Sequence, residues 1–179
     1  MPKLKWLILD ANVVIYLHEL GIWSKVVERC EIHLSRIVAE QEVRHYQGSE
    51  HDEIIDLTED IAQGRIHVFD VSVSEFQAFF DQFDPLYLGD LDPGESESLA
   101  YLLKSREQFV ISSGDAIVYR VLGCLGRSDH GLSLEESLQK IGLGRANISW
   151  PYSKKFRQQY TKEGEQDSIR DRGVRRKKR

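Results

Sequence analysis

The segment LILDANVVIYL, residues 7–17, places the strongest constraint on how this chain folds. Its first residues complete the run KLKWLILD at 3–10, and a near-continuous apolar run is typical of a parallel strand that is covered on both faces. That run ends in Asp10, and the apolar spacing after it predicts a helix to about Glu19. In open parallel sheets, ligands bind beyond the carboxyl ends of the strands. The sequence therefore predicts a buried strand with a candidate site at its end.

Strands and helices alternate along the rest of the chain. Further strands are predicted at EIHLS, RIHVFDVS, QFVISS and ANISWPY. Helices are predicted at GIWSKVVERC, RIVAEQEVRHYQG, HDEIIDLTEDIAQG, VSEFQAFFDQF, DPGESESLAYLLKSRE, DAIVYRVLGCLG, LEESLQKIG and SKKFRQQYTKEG. The alternation predicts an α/β fold, a three-layer α/β/α sandwich with a mostly parallel central sheet.

The charge divides the chain into two parts. Residues 1–150 hold 13 Lys and Arg against 25 Asp and Glu, a net charge of −12, whereas residues 151–179 hold 11 against 4, a net charge of +7. Seven of the last ten residues, 170–179, are Lys or Arg. Basic blocks of this kind are usually disordered and often contact nucleic acid. We therefore expect one domain at 1–150 and a basic extension at 151–179 that is partly helical and then disordered.

The composition indicates the broad class of the protein. A hydrophobic content of 41% and a charged content of 30% are those of a globular protein, and no apolar stretch reaches about 18 residues, so we expect no membrane span. The charge at Asp10 comes too early for the first apolar run to be a signal-peptide core. Cys30 and Cys124 lie far apart, and we expect both to be reduced thiols in the cytoplasm. The six histidines show no ligand spacing, so we expect no structural zinc site.

Four acidic residues stand out because they follow predicted strands or lie on predicted helices close to them. They are Asp10, Glu42, Glu95 and Asp115. Each also has a purely structural explanation. Helix capping accounts for the two aspartates, a capping box with Asp92 accounts for Glu95, and a solvated helix face accounts for Glu42 beside Glu40. These structural roles do not require the four side chains to lie close together, whereas a shared functional site does.

The segments that carry these acids resemble, in their order along the chain, a PIN domain. They are LILDANVVIYL, IVAEQEVRHY, GESESLAYLL and VISSGDAIVYRV, and the resemblance covers roughly residues 4–148. The PIN domain is the metal-dependent nuclease fold found in the VapC-type toxins of many bacterial toxin–antitoxin pairs. The resemblance implies a PIN-like fold and a cytoplasmic endoribonuclease, with RNA as substrate, an antitoxin protein as partner and a homodimer. The basic extension is not part of the family pattern.

The resemblance also assigns the acids to the family's motifs. The family has an Asp at the end of the first strand with a small polar residue two positions later, which Asp10 and Asn12 match. A helical acid followed by an apolar residue is best matched by Glu42, whereas Glu40, which precedes Gln41, fits less well. Many members next have an Asp at the start of a helix, and a subgroup has Gly-Glu there. Gly94 and Glu95 resemble this subgroup.

The last motif of the family is Ser or Thr, any residue, then Asp, after a strand. Ser113 and Asp115 match this motif. Hydrolysis of a phosphodiester needs an activated water and neutralisation of the charge on phosphate oxygens, and Mg²⁺ or Mn²⁺ held by a few carboxylates supplies both. Four crowded carboxylates would also repel one another without a cation.

The expected roles follow from this chemistry. We expect Asp10 and Asp115 to bind the metal directly, Glu95 to bind it or to hold a metal-bound water, and Glu42 to orient the attacking water. Asn12 and Ser113 are expected to donate hydrogen bonds to the ligands. Glu97 is a further candidate on the helix of Glu95. Arg120 is a candidate for phosphate contact, although a surface position explains it better.

Two alternatives remain open at the level of sequence. A haloacid-dehalogenase-like phosphatase also begins with an apolar strand that ends in Asp, but its chemistry needs a second Asp two residues later, where this chain has Asn12. The other alternative is a PIN-like fold that serves as an RNA-binding or protein-interaction module without catalysis. It stays open because Glu replaces the more common Asp at position 95.

Overall fold

The computed structural model describes residues 3–8 and 10–175, and its core is an α/β arrangement around a parallel sheet. The strands are β1 Leu4–Ile8, β2 Cys30–Ser35, β3 His45–Gln47, β4 Asp52–Ile54, β5 Ile66–Phe69 and β6 Val110–Ser112. The helices are α1 Ala11–Glu19, α2 Trp23–Arg29, α3 Thr58–Ala62, α4 Val73–Phe80, α5 Pro93–Lys104, α6 Ala116–Cys124, α7 Leu134–Lys140 and α8 Lys154–Ile169. Four strands form the parallel sheet in the order β5-β2-β1-β6, and β3 and β4 form an antiparallel pair.

The sheet is covered on both faces, as the apolar run of β1 predicts. One cluster of buried side chains joins Trp6 and Ile32 of the strands to α1, α2 and α7, and a second joins Phe69 and Ile111 to α4, α5, α6 and α8. Successive strand residues point to opposite faces, so the two clusters lie on opposite sides of the sheet. The architecture is consistent with the predicted three-layer α/β/α sandwich. Among the described residues, no helix is both long enough and apolar enough to cross a membrane.

The helix predicted at RIVAEQEVRHYQG is wrong beyond its first turn. A single π-helical turn, Val38–Glu42, is followed by β3, which pairs with β4. The prediction of a helix from the start of HDEIIDLTEDIAQG is wrong for the same reason, because its first residues form β4 and only Thr58–Ala62 is helical. The hairpin is held by cross-strand contacts, such as the bond that the Tyr46 hydroxyl donates to Glu53. Such pairing can override a helical spacing of apolar residues.

The strand predicted at ANISWPY is also wrong. The segment contains a turn of 3₁₀ helix, Trp150–Tyr152, and Asn147 before it has a φ of 65°. Pro151 has no N–H to donate to a sheet ladder, so this segment is poorly suited to pair as a strand.

The extension packs against the domain through α8. A Cβ at Gly164 would lie 2.0 Å from the Arg120 carbonyl oxygen, and a Cβ at Gly123 would lie 2.2 Å from the Thr161 carbonyl oxygen. The two glycines therefore allow the backbones of α6 and α8 to approach closely. The helix also runs five residues beyond the predicted segment, to Ile169.

Beyond α8, backbone hydrogen bonds connect the chain to the domain as far as the structure describes it. Gly173, with a φ of 89°, accepts a hydrogen bond from the Asp84 amide at 2.7 Å, and the Arg175 amide donates to the Gln82 carbonyl at 2.7 Å. These backbone bonds return the chain to the end of α4. The rest of the predicted basic tail, residues 176–179, lies outside the described residues, as does Leu9 of the first predicted strand.

Candidate metal centre

Asp10 links the end of β1 to the start of α1. Its Oδ1 accepts a hydrogen bond from the Asn12 amide at 2.7 Å, and its Oδ2 accepts one from the Gly114 amide at 3.3 Å. The side chain is buried, and burial raises the pKa of Asp10, which the negative charges of Asp115 and Asp92 raise further. Asn12 thus donates through its backbone, and its own side chain is exposed. Asp10 both caps the helix and points to the loop after β6.

Ser113 connects that loop to α5. Its hydroxyl donates to Glu95 Oε1 at 3.2 Å and accepts a hydrogen bond from the Asp115 amide at 2.9 Å. These two hydrogen bonds fix the positions of Glu95 and Asp115 relative to each other. Ser113 itself is buried. This agrees with its expected role as a hydrogen-bond donor to the acidic group.

Glu95 lies at the start of α5, held by the predicted capping box. Asp92 Oδ1 accepts from the Glu95 amide at 2.7 Å, and Glu95 Oε2 accepts from the Asp92 amide at 3.3 Å. The side chain of Glu95 is 0% exposed. Burial raises its pKa, and the charges of Asp92 and Asp115 raise it further. A carboxyl group in this position favours a proton or a cation.

The structure brings Asp10, Glu95 and Asp115 together at the carboxyl ends of β1 and β6. One carboxylate oxygen from each lies within 4.8 Å of the other two. Partial burial raises the pKa of Asp115, while a hydrogen bond with Glu95 acts in the opposite direction. The pair can therefore share one proton between them. Three acids with raised pKa values in one cleft match the donor set of a hard divalent cation.

Glu42 faces this group, whereas Glu40 does not. Glu40 is exposed and forms an ion pair with Arg36 at 2.5 Å. Burial, with the charges of Asp92 and Asp10, raises the pKa of Glu42 to about 7. A Cβ at Gly94 would lie 2.9 Å from Glu42 Oε2, so the absence of a side chain at Gly94 leaves the space that Glu42 occupies.

Two further acids extend the group. Asp92, which sequence reasoning took only for a helix cap, contributes to the raised pKa values of all four acids described above. Glu97 is buried, its charge acts on Glu42, and its Oε2 has no hydrogen-bond partner among the described residues. A buried carboxylate oxygen with no donor is suited to a cation or a cation-bound water. The signal for Asp92 was its place three residues before Glu95.

Arg120 does not reach the acidic group. Its guanidinium donates to Asp167 Oδ2 of α8 at 3.0 Å and lies over the ring of Tyr87, 5.5 Å from its centroid. The residue therefore joins α6 to α8, and these contacts favour the structural explanation of Arg120 over a phosphate contact.

Tyr152 brings the extension to the site, which the sequence did not indicate. Its ring stacks on Tyr16 with centroids 4.6 Å apart, and its hydroxyl donates to the Asn12 carbonyl at 3.4 Å. A Cβ at Gly114 would lie 2.9 Å from Tyr152 Cε1, so Gly114 lets the ring pack directly on the loop that carries Asp115. The extension thus forms one wall beside the carboxylates.

Glu42→Gln is expected to lower turnover more than metal affinity, because Glu42 lies beside the three-acid group without belonging to it. Loss of a general base or a water-orienting group costs about 10²–10⁴-fold in rate. Glu40→Gln, which affects only a surface ion pair, is the matched control and should be silent. Cleavage rates and Mn²⁺ binding isotherms of both variants provide the measurement. Damage from Glu40→Gln with a silent Glu42→Gln would contradict the assignment.

No family model, no curated protein and no solved structure matches the chain. The PIN-domain resemblance therefore stays a prediction from four short motifs.

Proposed function

We propose that the protein is a metal-dependent endoribonuclease with a PIN-like fold. Its active site, which hydrolyses the phosphodiester bonds of RNA, is formed by Asp10, Glu42, Glu95 and Asp115. The observation that carries this proposal is the convergence of acids from four separate chain segments at the carboxyl ends of parallel strands. Helix capping explains single members of the group. It does not explain why they face one another at the cost of raised pKa values.

Mg²⁺ or Mn²⁺ fits the donor set. Asp10, Glu95 and Asp115 would hold the cation, since their oxygens lie within 4.8 Å of one another. Such a cation supplies charge for the phosphate oxygens and lowers the pKa of a bound water. The amides of Asn12 and Gly114 and the hydroxyl of Ser113 keep the carboxylates in place, as such partners do around metal ligands.

Glu42 is suited to receive the proton of the attacking water. Without a cation, burial and the charges of Asp92 and Asp10 raise the pKa of Glu42 to about 7. A bound cation would lower this pKa, so that Glu42 would be a carboxylate able to accept a proton at neutral pH. Ser113 orients Glu95, and Asp92 fixes the start of α5, so hydrogen bonds hold Glu95 in its position.

A groove beside Tyr152 supports a nucleic acid as the substrate. It has a volume of about 480 Å³, and Arg145, Lys154, Lys155 and Trp150 are among its lining residues. The Trp150 side chain is 52% exposed. Basic side chains that contact phosphates beside an aromatic ring that stacks on a base are the usual means of holding a single strand. The groove also includes Glu135, and its three basic side chains offer phosphates a local basic surface on an otherwise acidic body.

The test is a cleavage assay on single-stranded RNA and on DNA of the same sequence, with Mg²⁺, with Mn²⁺ and with a chelator. We expect cleavage of RNA that needs the cation. A chain that binds Mn²⁺ but cleaves neither substrate would favour the alternative of a binding module without catalysis. By resemblance, an antitoxin protein and a second copy of the chain are the proposed partners.

Replacing Lys154 and Lys155 together by Ala is expected to weaken RNA binding and its salt dependence. Each phosphate contact contributes about −0.7 to the log–log slope for single strands, so the slope should flatten by roughly 1.4. RNA binding in Ca²⁺ at several salt concentrations provides the measurement. Lys25→Ala, at an exposed position of α2, is the control.

The same series separates the groove from the basic tail. Truncation after Arg175 removes residues 176–179 and keeps the backbone bonds of Gly173 and Arg175 to the domain. An unchanged slope in the double lysine variant, with a flattened slope after truncation, would move the phosphate contacts from the groove to the tail.

A further inference from the structure

A second group of metal-ligating side chains lies on the sheet, apart from the acidic site. Glu31 and His33 are two residues apart on β2 and therefore point to the same face. His67 on β5 is the register partner of His33 in the parallel pairing. Strand pairing, and not spacing in the sequence, brings the three together, which is why the histidine pattern gave no indication of a site.

The three side chains are close enough to share one ion. One ligand atom from each lies within 4.8 Å of the other two. The imidazole rings of His33 and His67 stack with centroids 4.8 Å apart, and His33 Nε2 lies 3.0 Å from Glu31 Oε1. Phe109 packs edge-on against His33 at 4.7 Å, so the central ring is held in its orientation.

The protonation states are those of metal ligands. Burial lowers the pKa of His33, and the hydrogen bond from His33 lowers the pKa of Glu31, so at neutral pH an uncharged imidazole lies beside a carboxylate. Lys5 Nζ lies 3.8 Å from Glu31 Oε1 and also pairs with Glu107, so Lys5 keeps a partner if Glu31 turns to a cation. His67 is exposed and leaves a path to solvent.

We propose that Glu31, His33 and His67 bind one divalent transition-metal cation of the Zn²⁺ class. Two imidazoles and a carboxylate suit Zn²⁺, Co²⁺ or Ni²⁺, whereas Mg²⁺ prefers oxygen ligands, so the two sites of this protein select different cations. Three protein ligands leave a fourth position of a tetrahedral site for water.

The expected effect of the cation is on the sheet. In the part of the chain that the structure describes, β5 is an edge strand of the parallel sheet and pairs with β2. An ion that joins His67 on β5 to Glu31 and His33 on β2 would tie this edge to its neighbour. Because the unfolded chain lacks the paired geometry, binding would stabilise the folded protein in proportion to the ion concentration over its dissociation constant.

The test is calorimetric titration of Zn²⁺ into the full chain in excess Mg²⁺, which occupies the carboxylates. His67→Gln should weaken Zn²⁺ binding by at least about 10–100-fold, the range lost when even a ligand's supporting partner is removed. His51→Gln, an exposed histidine in the turn between β3 and β4, is the matched control and should bind as the unaltered chain does. Zn²⁺ should raise the melting temperature of this control and not that of His67→Gln.

A further variant keeps this site distinct from the acidic one. Asp115→Asn should retain Zn²⁺ binding, because Asp115 belongs to the other group. Equal Zn²⁺ affinity in His67→Gln and His51→Gln would overturn the proposal, and so would loss of Zn²⁺ binding in Asp115→Asn. The result does not depend on nuclease activity, so the proposed function can fail while this inference stands.

Discussion

Replacing Asp10 or Asp115 by Asn is expected to lower metal-dependent cleavage by on the order of 10²–10³-fold or more, the loss that follows removal of one preorganised electrostatic group. Both residues contribute an oxygen to the three-acid group. An amide of the same shape keeps one oxygen but removes the charge that attracts the cation.

Neither substitution should unfold the protein. Asn is as good a helix N-cap as Asp, so the hydrogen bond from the Asn12 amide is retained at position 10. Removing one charge from a group whose members raise one another's pKa also relieves repulsion. The melting temperature of Asp115→Asn, measured without metal, should therefore hold or rise. In Asp10→Asn the relief of repulsion is offset by loss of the acceptor for the Gly114 amide, so its melting temperature should change little.

A matched control comes from the far end of α4. Asp81→Asn removes an exposed carboxylate that accepts a hydrogen bond from Gln77. α4 follows the carboxyl end of β5, so its last residue lies away from the acidic group. Cleavage of single-stranded RNA in Mg²⁺, together with circular dichroism melts, measures both effects. Full activity in Asp10→Asn or Asp115→Asn would sink the assignment of the site.

The elements that local signals specify were predictable from the sequence. The start of α5 is an example, since Asp92, Pro93 and Glu95 each satisfy a backbone group of the first turn or fit its geometry. The continuous apolar run of β1 and its end at Asp10 likewise follow from burial on both faces. Such signals lie within a few residues, so no tertiary contact is needed to interpret them.

The elements that depend on distant partners were not predictable. The hairpin of β3 and β4 exists because residues 45–47 pair with residues 52–54, whereas the apolar spacing there matches a helix equally well. The charge of the extension gives no sign of the backbone bonds that Gly173 and Arg175 form with the domain, because their partners lie about 90 residues earlier in the chain.

The residues of the candidate site likewise include some that local signals predict and some that depend on distant contacts. Asp10, Glu95 and Asp115 follow from strand ends and a helix start. The choice between Glu42 and Glu40 depends on the π-helical turn, which directs only Glu42 toward Gly94. Tyr152 reaches the site only because α8 docks on α6 and brings the preceding turn with it.

Without metal, the acidic group is expected to make the protein less stable as the pH rises. The folded-state pKa values of Asp10, Glu42, Glu95 and Asp115 are raised above those of the unfolded chain. A raised pKa means that the folded protein binds the proton more tightly than the unfolded chain does. The resulting stability is fully present below the unfolded values of about 4, and it is lost as the pH rises through the folded values, near 7 for Glu42.

Other groups act in the opposite direction, so the contribution of the acids must be isolated. Burial lowers the pKa of His18 and of His33, which therefore add stability as the pH rises through about 6.5. Glu95→Gln leaves both histidines unchanged and removes the most buried acid. The Gln carbonyl oxygen can complete the capping box by accepting from the Asp92 amide, while its NH₂ group donates to the Ser113 hydroxyl oxygen in place of the bond that Ser113 donates to Glu95. The difference between this variant and the unaltered chain thus reports on the carboxylates alone.

Between pH 5 and pH 8, the free energy of unfolding of Glu95→Gln should increase by at least about 1.4 kcal/mol relative to that of the unaltered chain. This is the free energy that corresponds to a shift of one pKa unit. For a chain of this length it corresponds to roughly 3–6 °C in melting temperature. At pH 8, Mn²⁺ should make the melting temperature of the unaltered chain higher than that of Glu95→Gln. The cation stabilises the unaltered chain, and the variant offers it one carboxylate ligand fewer. Circular dichroism melts at both pH values, in a chelator and in Mn²⁺, provide the measurement. Parallel melting temperatures across the pH range would show that neither burial nor the neighbouring acids raise the pKa of Glu95, and would contradict a cation site at this group.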